Sequence, residues 1–199
     1  MELTADQLDA LTELINIGVG QAASMLNEMI EFRIHLQVPI VQLLTPPELL
    51  KTLRGRLGFD QLATVQLPFG GSFSGTAQLV FPTESAATLV AVLTGEEIEN
   101  PELDTLKIGT LTEVGNIVIN GVLGSISNIL DRPLQYQVPI YSEEDMAHLL
   151  PSSEVDLETT VLLAEARFRV EELQVQGDIV LFFDVGSFDT LMESIDTVT

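Results

Sequence analysis

The chain has 199 residues, 46% of them hydrophobic, with 30 acidic and 8 basic side chains and a net charge of −22. Phosphate backbones and anionic headgroups need Lys and Arg to replace their counterions, so neither nucleic acid nor a membrane surface is an expected partner. Without cysteine there are no disulfides, thiolate metal sites or cysteine nucleophiles, and the apolar content predicts one packed domain over residues 1–199.

Residues 1–6 carry no basic or long apolar run, so no signal peptide is expected and a cytoplasmic location is. Thr4, Asp6 and Gln7 read as a helix start. Leu8, Leu11, Ile15, Gly18, Ala22, Leu26 and Met29 then recur at helical spacing as one apolar face. A strand is expected over 32–43, with Pro39 in or beside it at an edge or bulge. Pro46 and Pro47 open a short helix to about Leu53. Strands over 62–68 and 73–81 are joined by Gly70 and Gly71. This uncharged stretch holds too much Gly, Pro and polar side chain to span a membrane. Thr83 is expected to cap a helix that stops at Gly95, and an acidic joint follows over 97–104.

The order then repeats: a helix over 103–130, a strand over 134–142 containing Pro139, and a short helix over 144–149. Strands over 159–169 and 173–183 and a helix over 187–195 complete it. Glu13, Asn16 and Pro39 recur as Glu113, Asn116 and Pro139, one hundred residues on. Gly75, Leu79 and Phe81 recur as Gly177, Leu181 and Phe183. The expectation is an α+β fold of two layers, a pseudo-two-fold duplication with repeats at about 4–96 and 103–197. Two long helices would pack on a mixed β-sheet whose strand order the repeat does not specify.

On a helical wheel, Asp9, Glu13, Asn16, Gly20 and Asn27 gather opposite the apolar face. Glu113, Asn116, Asn120 and Ser127 do the same on the second long helix. Any soluble helix shows Glu and Asn outward, and a duplication copies inert residues too. However, Asp9 has become Gly109 and Gly20 has become Asn120, while Glu and Asn agree. That favours a duplicated site. Lys51, Arg54 and Arg56 form the one basic cluster, either a solvated face or a docking surface on one half. His35 and His148 read as structural.

Asp9, Glu13, Asn16 and Pro39, spaced D-x3-E-x2-N-x22-P, resemble the signature of the CheC/CheX/FliY phosphatases of bacterial chemotaxis. The segment from Leu14 to Ala23 is similar to that family's first helix. The resemblance covers the whole chain, and two copies of the signature favour a CheC-like member over a one-site CheX type. It implies hydrolysis of the aspartyl phosphate on a CheY-type response regulator. Glu13, Asn16, Glu113 and Asn116 would be catalytic, with Asp9, Pro39 and Pro139 supporting. The second copy departs from the pattern at Gly109, where the family places Asp or Ser.

An aspartyl phosphate needs an in-line water and neutralised phosphoryl oxygens, and the receiver is expected to carry the Mg²⁺ and Lys for the latter. No metal or cofactor is therefore expected on this chain. An amide can orient the water because it donates and accepts without competing as a nucleophile. Glu would pair with the receiver's Lys. The alternative is a non-catalytic binding module: a phospho-receiver sink, a partner of the deamidase CheD, or a flagellar-switch scaffold.

Overall fold

The computed structural model describes residues 3–29, 33–38, 40–58, 61–95, 105–146, 148–150, 160–170 and 173–198. Pro39 and the acidic joint lie outside them. Helix α1 (Ala5–Met29) starts where the Gln7 N–H donates to Thr4 Oγ1 at 3.2 Å and the Thr4 N–H donates to Gln7 Oε1 at 3.1 Å. These two bonds satisfy donors that the first turn leaves free. Leu11, Ile15, Gly18, Ala22 and Leu26 are buried as the spacing predicts. Met29 is 59% exposed, so the apolar stripe ends one turn earlier than expected.

Helix α4 (Thr105–Ile129) buries a wider arc, from Leu111 and Val114 to Val122 and Leu123. It runs antiparallel to α1: Gly18 faces Gly121, while Leu26 lies near Val114 and Ile117. At that crossing a Cβ on Gly121 would sit 2.6 Å from the Gly18 carbonyl oxygen and 3.0 Å from Ala22 Cβ. Two glycines let the backbones meet. Gly121→Ala is expected to cost about 1–3 kcal/mol through overpacking, despite alanine's better helix propensity. Urea denaturation measures this.

The strands are β1 (Ile34–Gln37), β2 (Val41–Leu44), β3 (Leu62–Gly71), β4 (Gly75–Pro82), β5 (Leu134–Tyr136), β6 (Ile140–Glu144), β7 (Val161–Val170) and β8 (Leu173–Phe183). They form one sheet ordered β1-β7-β8-β4-β3-β5, with β2 also beside β7 and β6 beside β3. The strands after α1 therefore pair with the second half's hairpin, and those after α4 pair with the first half's. Each half completes the other.

Every described pairing is antiparallel, which corrects the expected mixed sheet. The central pair explains it. Residues 75–80 of β4 face 178–183 of β8 about Gln78 and Val180, so equivalent residues exchange places. A two-fold normal to a sheet reverses strand direction, and equivalent strands must then run antiparallel.

Other boundaries shift locally. The predicted strand over 32–43 divides into β1 and β2. Pro139 falls between β5 and β6, where its missing N–H breaks no ladder bond. The short helix expected over 144–149 is replaced by the end of β6, which pairs with β3, and a turn closed by His148 N–H to the Asp145 carbonyl. Strand β3 runs through Gly71, so residues 72–74 make the turn into β4. Helix α3 (Thr83–Thr94) does end at Gly95, which is left-handed at φ 70°. The Thr83 hydroxyl bonds the Gln61 carbonyl instead of capping that helix.

Helices α1, α3, α4 and α5 (Ser187–Val198) cover one face of the sheet. The two-layer expectation needs a partial third layer. Central strands are apolar on both faces, and Leu62, Val80, Val161, Leu163, Val180 and Phe182 pack against Leu49, Leu53 and Leu57. Those three leucines lie on α2 (Pro46–Leu57), one turn longer than predicted.

Candidate functional site

Asp9, Glu13 and Asn16 are all exposed on α1. Glu13 and Asn16, three residues apart, share a flank of the helix. On α4, Glu113 is exposed and Asn116 half-buried. Both pairs ride on rigid backbone, because the opposite flanks carry the buried Leu11, Ile15, Leu111 and Val118. Antiparallel packing sets the two pairs toward opposite ends of the helix pair. At 1.5 Å per residue, Glu13 and Glu113 are about 20 Å apart along the axes.

The copies differ in what surrounds the amide. Asn120 Nδ2 donates to Asn116 Oδ1 at 2.7 Å, across one helical turn. At the first copy Gly20 stands in that place, with nothing within 4 Å of where its Cβ would be. Among the described residues no side chain bonds the Asn16 amide. The Gly20/Asn120 exchange was visible in the sequence as a divergence, and only the geometry gives it a contact.

Gly109, in place of Asp9, borders an apolar cleft of about 430 Å³. Leu26, Met29, Leu93, Leu106 and Val114 line it, with Glu113 at its rim. Glu113 thus borders an apolar hollow, beside Gly109, where the first copy carries the acid Asp9.

Other outward-facing candidates prove structural. Asn27 donates to the Ile34 carbonyl at 3.0 Å and accepts the Ile34 N–H at 2.6 Å, tying α1 to the start of β1. Its counterpart Ser127 donates to the Arg132 carbonyl at 2.7 Å. This repeated polar position therefore has a folding role. The basic trio also divides. Lys51 and Arg54 are exposed, whereas Arg56 turns inward to Asp178 at 2.5 Å and Glu165 at 3.2 Å. Asp178 is 0% exposed. Burial pushes its carboxyl up to about 7, against the opposing pull of the Arg56 charge and hydrogen bond, while Glu165 raises it further.

His148 bonds Asp145 at 2.7 Å on the surface, and His35 is an exposed residue of β1 opposite Arg169. Among the described residues no group of three or more His, Asp or Glu side chains could hold a metal. No described helix is long and apolar enough to cross a membrane.

Comparison with known proteins adds to this geometry. The model of the CheC-like family matches residues 7–43, the segment containing Asp9, Glu13, Asn16 and Pro39. The chain is 24% identical over 194 residues to the CheY-P phosphatase CheC of Bacillus subtilis (strain 168), covering 94% of this chain and 92% of that protein. Its fold is similar to the crystal structure of Thermotoga maritima FliY, with TM-score 0.83, 20% identity and 100% of both chains covered. It is also similar to the FliM middle domain from H. pylori, with TM-score 0.70, 13% identity and coverage of 96% and 99%. The signature residues thus lie inside the segment that the CheC-like family model matches, the similarity to CheC runs along nearly the whole chain, and the fold is similar to that of FliY.

Proposed function

We propose that this chain is a response-regulator phosphatase that hydrolyses the aspartyl phosphate of a CheY-type receiver. The observation that carries the proposal is the outward Glu–Asn pair, present on each of two helices whose opposite faces are locked in the core. A rigid element holding an amide in solvent suits a site completed by a docked protein. The relative named CheY-P phosphatase supports the substrate class.

In this reading the receiver brings Mg²⁺ and its own Lys, which neutralise the phosphoryl oxygens. Asn16 or Asn116 accepts a hydrogen bond from the attacking water through Oδ1 and holds the water's lone pair in line with the scissile P–O bond. That bond breaks, the receiver's Asp leaves as carboxylate, and inorganic phosphate is released. Glu13 or Glu113 pairs with the receiver's Lys and fixes the docking register. Asp9 supports the first site, and Pro39 and Pro139 shape the chain after each helix.

The fold alone would not decide for catalysis, since one scaffold can host unrelated functions. The competing reading is a binding module for the phospho-receiver, for CheD, or for a flagellar switch. The test is phosphate release from a phosphorylated CheY-type receiver with Mg²⁺. Wild type is expected to accelerate release, and Asn16→Ala and Asn116→Ala are each expected to keep part of it. Receiver binding without accelerated release would transfer the assignment to the module.

A further inference from the structure

The second site has something the first lacks. Asn116 is held at its carboxamide oxygen by Asn120 Nδ2, and both side chains are half-buried on one flank of α4. Asn16 is exposed, stands one turn from Gly20, and is bonded by no side chain among the described residues. An unbraced asparagine samples several χ1 and χ2 settings, and most of them point its amide away from any one water. A braced one has its carboxamide plane fixed.

We infer that Asn120 is a positioning residue for Asn116, so the second site is preorganised for hydrolysis while the first orders its amide only when a receiver docks. This rests on the phosphatase reading above. The bond need not block the chemistry: a carbonyl oxygen has two lone pairs, and Asn120 occupies one. The other remains to accept from the attacking water. A donated hydrogen bond also polarises the carboxamide and makes its oxygen a better acceptor. In this way Asn120 offsets what the second copy lacks at Gly109.

The plain alternative is a helix-surface contact between residues four apart, which adds a little helix stability and nothing else. The two accounts separate in kinetics, using the full chain and a phosphorylated CheY-type receiver with Mg²⁺. In an Asn16→Ala background, which reads the second site alone, Asn120→Ala is expected to lower kcat about three- to tenfold. KM and the thermal midpoint should stay in place. In an Asn116→Ala background, Gly20→Asn is expected to raise kcat of the first site several-fold; the open space at Gly20 accommodates the new side chain.

An unchanged kcat in either arm, or a change carried by KM alone, overturns the inference. Wild type that fails to accelerate phosphate loss sinks the phosphatase reading and this inference with it. Activity in wild type but none in Asn16→Ala overturns the inference while sparing that reading at the first site. Activity in both parents with no effect of Asn120→Ala sinks the inference alone.

Discussion

Alanine at both Asn16 and Asn116 is expected to return phosphate loss from a phosphorylated CheY-type receiver to the receiver's own spontaneous rate. Each amide is assigned the positioning of one water, and losing a single hydrogen-bonding group that acts at the transition state costs on the order of 3 kcal/mol, or about a hundredfold. One substitution leaves the other site working, so only the double variant exposes the full loss. The fold should survive. Asn16 is exposed, and the one partner Asn116 leaves behind, Asn120, is half-buried at the helix surface where water can replace the lost acceptor. Near-native thermal unfolding and receiver binding, with no release above background, would bear the assignment out. Undiminished release in the double variant would end it.

The two long helices were legible because their signals are local. Thr4 with Gln7 marks the start, and Leu11, Ile15, Gly18 and Ala22 repeat at a spacing only a helix satisfies. The outward flank followed directly from that period. Topology did not. That β1 and β2 join β7 rather than β3 is a pairing across more than half the chain, and no nearby residue announces it. The second buried face was missed for a related reason: an apolar run in a strand does not say whether one side or both will be covered. The polar residues of the helices were harder still. Asn27 and Asn116 looked alike on a wheel, yet one clamps backbone and the other meets a side chain. Periodicity gives a residue's direction but not its partner. Arg56 shows the same limit from the opposite side. It follows the exposed Arg54 and Gly55 on a helix of mixed charge, and its two carboxylate partners come from strands far along the sequence.

Arg56→Ala is expected to be the most destabilising single change to a charged residue of this chain, by about 3–5 kcal/mol at pH 8, because it leaves two carboxylates without their cation in a buried site. Asp178 is fully buried and Glu165 nearly so. Arg167 stands 3.8 Å from Glu165, and among the described residues Arg56 alone forms an ion pair with Asp178. The loss should shrink toward pH 5, and the sign follows from Asp178. Burial raises its folded pKa from 3.8 to about 7, so between those values the folded protein holds a proton that the unfolded chain has released. Its contribution to stability is full below pH 4 and is lost as pH rises through 7, with a slope of at most about 1.4 kcal/mol per pH unit. Asp178→Asn removes the titration, and its oxygen can still accept from Arg56. Its stability relative to wild type should therefore climb by a few kcal/mol from pH 4 to pH 8, whereas Arg56→Ala should fall further behind over the same range. Urea unfolding of the three proteins at several pH values tests this. Parallel pH profiles for wild type and Asp178→Asn would mean that Asp178 keeps an ordinary carboxyl pKa in the fold, the pull of the Arg56 charge then matching the cost of burial.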